Sequence, residues 1–149
     1  MNFYEQENNK TVLKTREIIR ELPEFCNEFF LDLNQNTLPK TRMGYAYDLR
    51  VFFNFLVTEN KEFLGRDIKS LTLDDLQKIK VVDINQFMDY LAYYVSDEDS
   101  QLYSNGENGK ARKLAAVRKL FKYFYRTEKI SSNPAELTIT PKRHEKEIV

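Results

Sequence analysis

NGENGKARKLAAVRKLFKYFYR, residues 105–126, is the stretch on which the reading of the fold turns. Taken as a helix, it carries Leu114, Val117, Phe121 and Phe124 at spacings of +3, +4 and +3, which is one apolar face. A step of about 100° per residue sets Arg112, Lys119, Tyr123 and Arg126 opposite, with Lys122 at the edge and Ala115 and Ala116 on the same side. Between Asn108 and Thr127 there are seven Lys or Arg and no Asp or Glu. Surface helices usually mix signs, because oppositely charged i,i+4 pairs stabilise them. A helix that forgoes this can lie against phosphates, or can be a solvated basic helix with no partner.

The second strong period lies upstream, in KTRMGYAYDLRVFFNFLVT, residues 40–58. Tyr45, Leu49, Phe52 and Leu56 form its core stripe, with Met43, Tyr47, Arg50 and Asn54 opposite. Thr41 is placed to cap the helix. Free N–H groups, the helix dipole and the adjacent Lys40 and Arg42 would then make an anion site. Tyr47 can equally be a half-exposed aromatic, and Arg50 a solvated charge.

Earlier in the chain, residues 1–10 lack periodicity and are expected to be disordered. Thr11 to Asp32 reads as helix, with Pro23 able to break it, and Ile18, Leu22, Phe25, Phe29 and Leu33 as its buried stripe. Cys26 beside that stripe reads as a small buried hydrophobe. Thr72 and the acids after it start a short helix. VVDINQFMDYLAYY, residues 81–94, follows, with Asp83 as its cap and Ile84, Phe87, Met88, Leu91 and Val95 as its stripe. From Asp83 to Glu107 there are six acids and no Lys or Arg, directly before the basic helix. Residues 96–108 read as a loop turning at Asn105-Gly106. Asn133-Pro134 stops the last helix, and the tail after it has no core pattern.

The 149 residues allow one core and are short for two domains. Eleven Phe and nine Tyr can fill that core, and four Gly and four Pro disfavour a turn-rich β fold. Net charge is zero, so any case for a polyanion partner rests on how charge is distributed. One cysteine excludes an internal disulfide and suits a reducing, cytoplasmic compartment. No apolar run reaches spanning length, so no membrane role is expected. His144 is the one histidine, no Cys/His cluster offers a metal site, and no phosphate-loop, dinucleotide or nucleophile-elbow motif is present. The expectation is an all-α, compact four- to five-helix bundle with no cofactor, no metal and no catalytic residue of its own.

Two stretches together resemble a known family. One is Thr41, Tyr45, Asp48, Leu49, Phe52, Phe55 and Leu56. The other is Arg112, Lys113, Leu114, Ala116, Val117, Arg118, Phe121, Tyr123 and Phe124, followed by Asn133-Pro134-Ala135. In order and spacing they are similar to the N-terminal, core-binding (SAM-like) domain of tyrosine recombinases, the phage-integrase family. The likeness runs from about Leu22 to Pro141, and DINQFMDYL between the stretches is similar to the family's short acidic-start helix.

The resemblance implies half of a C-shaped clamp on double-stranded DNA, as in a mobile-element recombinase. Lys40, Thr41, Arg42, Tyr47 and Arg50 would face DNA from the first helix, and Lys110, Arg112, Lys113, Lys119 and Lys122 from the second. It implies a core-binding domain over residues 11–137 and an interdomain linker over 138–149. Strand cleavage would belong to a catalytic domain absent from this sequence. The piece alone would be monomeric, and the full-length protein would meet other recombinase protomers in a synaptic complex. The rival reading is a helical protein-interaction module whose basic helix binds an acidic partner.

Overall fold

Helix α3, Pro39–Glu59, is packed on several sides, and its neighbours define the architecture. The structure, a computed structural model, describes residues 2–95, 102–103 and 106–141. In chain order these hold α1 (Phe3–Glu21), α2 (Cys26–Leu33), α3, a 3-10 turn (Ile68–Ser70), α4 (Leu73–Gln77), α5 (Val81–Leu91), α6 (Glu107–Arg126) and a closing 3-10 turn (Pro134–Leu137). A two-residue antiparallel pairing, β1 (Tyr94–Val95) with β2 (Leu102–Tyr103), joins α5 to α6. The fold is all-α as expected, with six α-helices among the described residues where four or five were expected.

Aromatic side chains knit the helices together. Phe25 meets Phe53 of α3 at 5.8 Å and Phe124 of α6 at 5.6 Å between ring centroids, both edge to face. Phe52 meets Phe53 at 5.4 Å and Phe87 of α5 at 5.1 Å. Such edge-on pairs are favourable beyond the area they bury. Phe25 can stand there because the chain breaks at Pro23: α1 ends at Glu21 and α2 begins at Cys26. Cys26 is fully buried, and burial pushes its thiol pKa well up, so it behaves as a small hydrophobe.

Several boundaries differ from the sequence reading. Helix α1 starts at Phe3, not near Thr11, because the Asn2 side chain accepts from Glu5 N at 2.8 Å and caps it. Helix α3 starts at Pro39, whose fixed φ suits the first helical position, so Thr41 falls inside the first turn and caps nothing. Asp83 does not cap α5. It is the third residue of that helix and reaches back to accept from Lys80 N at 2.8 Å. Helix α5 ends at Leu91, and Val95 belongs to β1 rather than to the helical stripe. Most of the 96–108 loop, with its Asn105 turn, lies outside the described residues, as does the tail after Pro141, His144 included.

Two turns use left-handed backbone. Gly65, at φ 83°, donates to Val57 O at 2.9 Å and closes the chain over the end of α3. Glu128, at φ 62°, ends α6: Lys129 N donates to Phe124 O at 2.9 Å and Glu128 N to Tyr125 O at 3.1 Å, a Schellman closure.

Asp75 ties the connection after α3 to α4. Its carboxylate accepts from Arg66 at 2.8 and 2.9 Å and from Thr72 N at 2.9 Å. The Arg66 hydrogen bonds hold its pKa below the usual value, against the opposing pull of burial. A carboxyl depressed in the folded state contributes stability above its unfolded value, and loses it as pH falls through the folded one. Acid unfolding monitored by circular dichroism should therefore steepen below about pH 4. Asp75→Asn should lower stability at neutral pH and flatten that acid limb, whereas an unchanged limb would remove Asp75 from the account.

Candidate nucleic-acid interface

The basic helix buries Leu114, Ala116, Val117, Leu120, Phe121 and Phe124. Ala116 is therefore in the core, not on the cationic face, and only Ala115 of that pair is exposed. The exposed strip reads Arg112, Ala115, Lys119, Lys122, Arg126, alternating +3 and +4. It spans about 21 Å of helix axis, more than the roughly 12 Å width of a DNA major groove. Lys119 and Lys122 have no ion-pair or hydrogen-bond partner among the described residues. Ala115, between Arg112 and Lys119, leaves room for a close approach there.

The two ends of the strip are anchored. Arg112, with 68% of its side chain exposed, points Nη2 at Asp48 Oδ1 of α3, 3.2 Å away. Asp48 is buried, and so is Lys113, which the sequence reading had facing DNA. Burial raises the Asp48 pKa, with Arg112 and Lys113 opposing, and burial lowers that of Lys113, with Asp48 opposing. At the other end Arg126 meets Asp32 of α2 at 3.4 Å. Tyr123 is half-buried and donates to Glu28 Oε2 at 2.9 Å, and Lys129 reaches the same carboxylate. Burial would raise the Glu28 pKa, but the bonds from Lys129 and Tyr123 outweigh it and lower it. Arg118 turns the other way. It donates to Ala135 O at 3.1 Å and to Thr138 O and Thr140 Oγ1, so it pins residues 135–140 to α6.

The residues expected on α3 separate into two groups. Lys40 and Thr41 are exposed in the first turn. Thr41 precedes Asp48 by seven residues, so the two share a flank to within about 20°. Arg42 and Arg50 do not join them. Arg42 donates to Thr37 O, back toward the turn before α3. Arg50 lies two residues beyond Asp48, about 160° away around the helix. It meets Glu21 of α1 at 2.9 Å and stacks on Tyr47 at 5.0 Å. The expectation that Arg42 and Arg50 share one free face with Arg112 and Lys119 is thus not met, because α1 packs along that side of α3. Lys110 is half-buried and lies 3.8 Å from Glu107.

Sequence reading missed the Asp48 tether and the clasp made by Arg118. Asp48 carried a signal, an acid set among core positions of an otherwise apolar stretch. A groove also went unforeseen. Its volume is about 620 Å³, its floor includes Val12, Ile19 and Phe30, and Arg16, Arg20 and Arg42 stand on its rim. Among the described residues no group of His, Cys, Asp and Glu is arranged to hold a metal ion, and no helix is long and apolar enough to cross a membrane.

An all-α bundle is what the family likeness implies, and here α3 and α6 meet at Asp48 and Arg112. The chain is homologous to the tyrosine recombinases, a family of site-specific recombinases, over about four fifths of its length. The similar proteins are XerC recombinases. That of Caldanaerobacter subterraneus subsp. tengcongensis is 34% identical over 128 residues, covering 81% of this chain and 33% of its own. That of Chlorobaculum parvum is 34% identical over 116 residues, covering 78% of this chain and 30% of its own. Leptospira interrogans has one 27% identical over 132 residues, covering 82% and 36%. The chain spans about a third of the length of these curated relatives. No family model matches it, and no solved structure does.

The anchors at the α2 end of the strip are separable from its exposed middle. Tyr123→Phe should cost about 0.5–1.5 kcal/mol in urea unfolding, the worth of one hydrogen bond. A loss near zero would mean that water replaces the Glu28 contact.

Proposed function

We propose that this chain is the core-binding, DNA-gripping arm of a site-specific tyrosine recombinase. The supporting observation is the exposed strip Arg112, Lys119, Lys122 and Arg126, which no acid of α6 itself interrupts. In this reading α6 lies along duplex DNA with the strip toward the phosphates, and the first turn of α3 adds Lys40 and Thr41. Phosphate contacts position the domain and carry most of the affinity. Arg42 and Arg50, engaged by Thr37 and Glu21, serve the fold. Lys113, in this reading, balances Asp48 rather than touching DNA.

Strand cleavage and joining lie, on this proposal, in a catalytic part of the recombinase outside the likeness described above. This arm holds the duplex while other protomers assemble around it. The rival, an acidic protein partner for α6, draws on the contacts of Glu28 with Tyr123 and of Asp32 with Arg126, in which carboxylates satisfy this helix.

Fluorescence anisotropy with a labelled duplex tests the proposal. Binding should be on the order of micromolar and fall steeply with salt. Arg112→Ala with Lys119→Ala should weaken every duplex alike and reduce the log–log salt slope by about 2. Arg50→Ala should leave that slope unchanged. Binding that ignores salt, or that responds to Arg50 and not to the strip, overturns the assignment.

A further inference from the structure

Asp48 raises a question of sign. A carboxylate close to a surface meant for phosphates should repel them, and Asn would be the safer residue there. Yet Asp48 sits with 4% of its side chain exposed, and Arg112 Nη2, on the edge of the strip, lies 3.2 Å from its Oδ1. Lys113 is buried beside the pair, so the cluster holds two cations and one anion. The Arg112 side chain otherwise projects freely, 68% exposed. An unanchored arginine loses rotamer freedom on binding, and an anchored one has lost part of it beforehand. Asp48 stands on α3 and Arg112 on α6, so the contact also fixes the strip against the first turn of α3.

We propose that Asp48 is a positioning residue for DNA binding, holding the Arg112 guanidinium in the orientation that meets phosphate. The inference rests on the DNA-binding reading of the strip. Its benefit outweighs the repulsion of its own charge, because that charge is already balanced by Arg112 and Lys113. Asp48 itself touches no DNA.

The two effects predict opposite signs, which makes the test decisive. Asp48→Asn preserves shape and removes the charge. If repulsion dominates, duplex affinity rises. If positioning dominates, it falls, by about threefold to tenfold. Asp48→Ala, which removes the acceptor as well, should fall at least as far. Circular dichroism at the working temperature selects the variants that are folded, and the Asn variant keeps the test open should the Ala variant unfold.

A double-mutant cycle then separates positioning from a general structural role. In the Arg112→Ala background, Asp48→Asn should cause no further loss. A full additional loss, or tighter binding by Asp48→Asn alone, overturns the proposal. Failure of the DNA reading is distinguishable, since the unmodified chain would then show no salt-dependent duplex binding. A chain that binds duplex through Arg112 but is indifferent to Asp48 rejects this inference alone.

Discussion

The enclosure of α3 is the constraint on which the other features depend. Seven of its residues are buried: Ala46, Asp48, Leu49, Phe52, Phe53, Phe55 and Leu56. They span about half of the helix circumference, and α1, α5 and α6 close in on α3 from different directions. Phe55 and Phe52 face Phe87 of α5, Phe53 faces Phe25, and Asp48 faces Arg112 of α6. Once α1 lies along one side, Arg50 has Glu21 within reach and pairs with it. The exposed residues of α3 are then Lys40 and Thr41 at its start and Glu59 at its end.

This enclosure explains which parts of the molecule the sequence made readable. The apolar period of α6 is strong and marks most of its buried face, to which the fold adds Lys113, Ala116 and Leu120. Helix α3 was harder. A two-sided helix with an apolar arc this wide has no single opposite face, so a stripe with a diametric counterpart is the wrong template. Arg42 and Arg50 were misplaced for that reason. Residues 3–10 were read as unstructured because their polar pattern hides a helix that a side-chain cap at Asn2 starts. Thr41 looked like a cap because capping residues are common before a period, but Pro39 sets the boundary first.

The candidate surface shows a similar division. The exposed lysines of α6 were legible from spacing alone. Their anchors were not, since Glu28, Asp32 and Asp48 come from helices distant in sequence, and only tertiary packing brings them to α6. Zero net charge is consistent with this. Acids satisfy the ends of the basic helix from within the chain and leave its middle, Lys119 and Lys122, open. An electrostatic surface made this way is narrow and directional rather than a diffuse basic patch.

In the proposed function, duplex DNA meets the middle of α6 and the first turn of α3, on the flank away from α1. An isotopically labelled chain titrated with a short duplex, its backbone amide shifts followed by NMR, puts this to the test. Perturbations are expected to concentrate at residues 111–122 and 40–41, with the amides of α1 still. Shifts gathered instead around Glu21, Arg50 and the groove rimmed by Arg16 and Arg20 would contradict it.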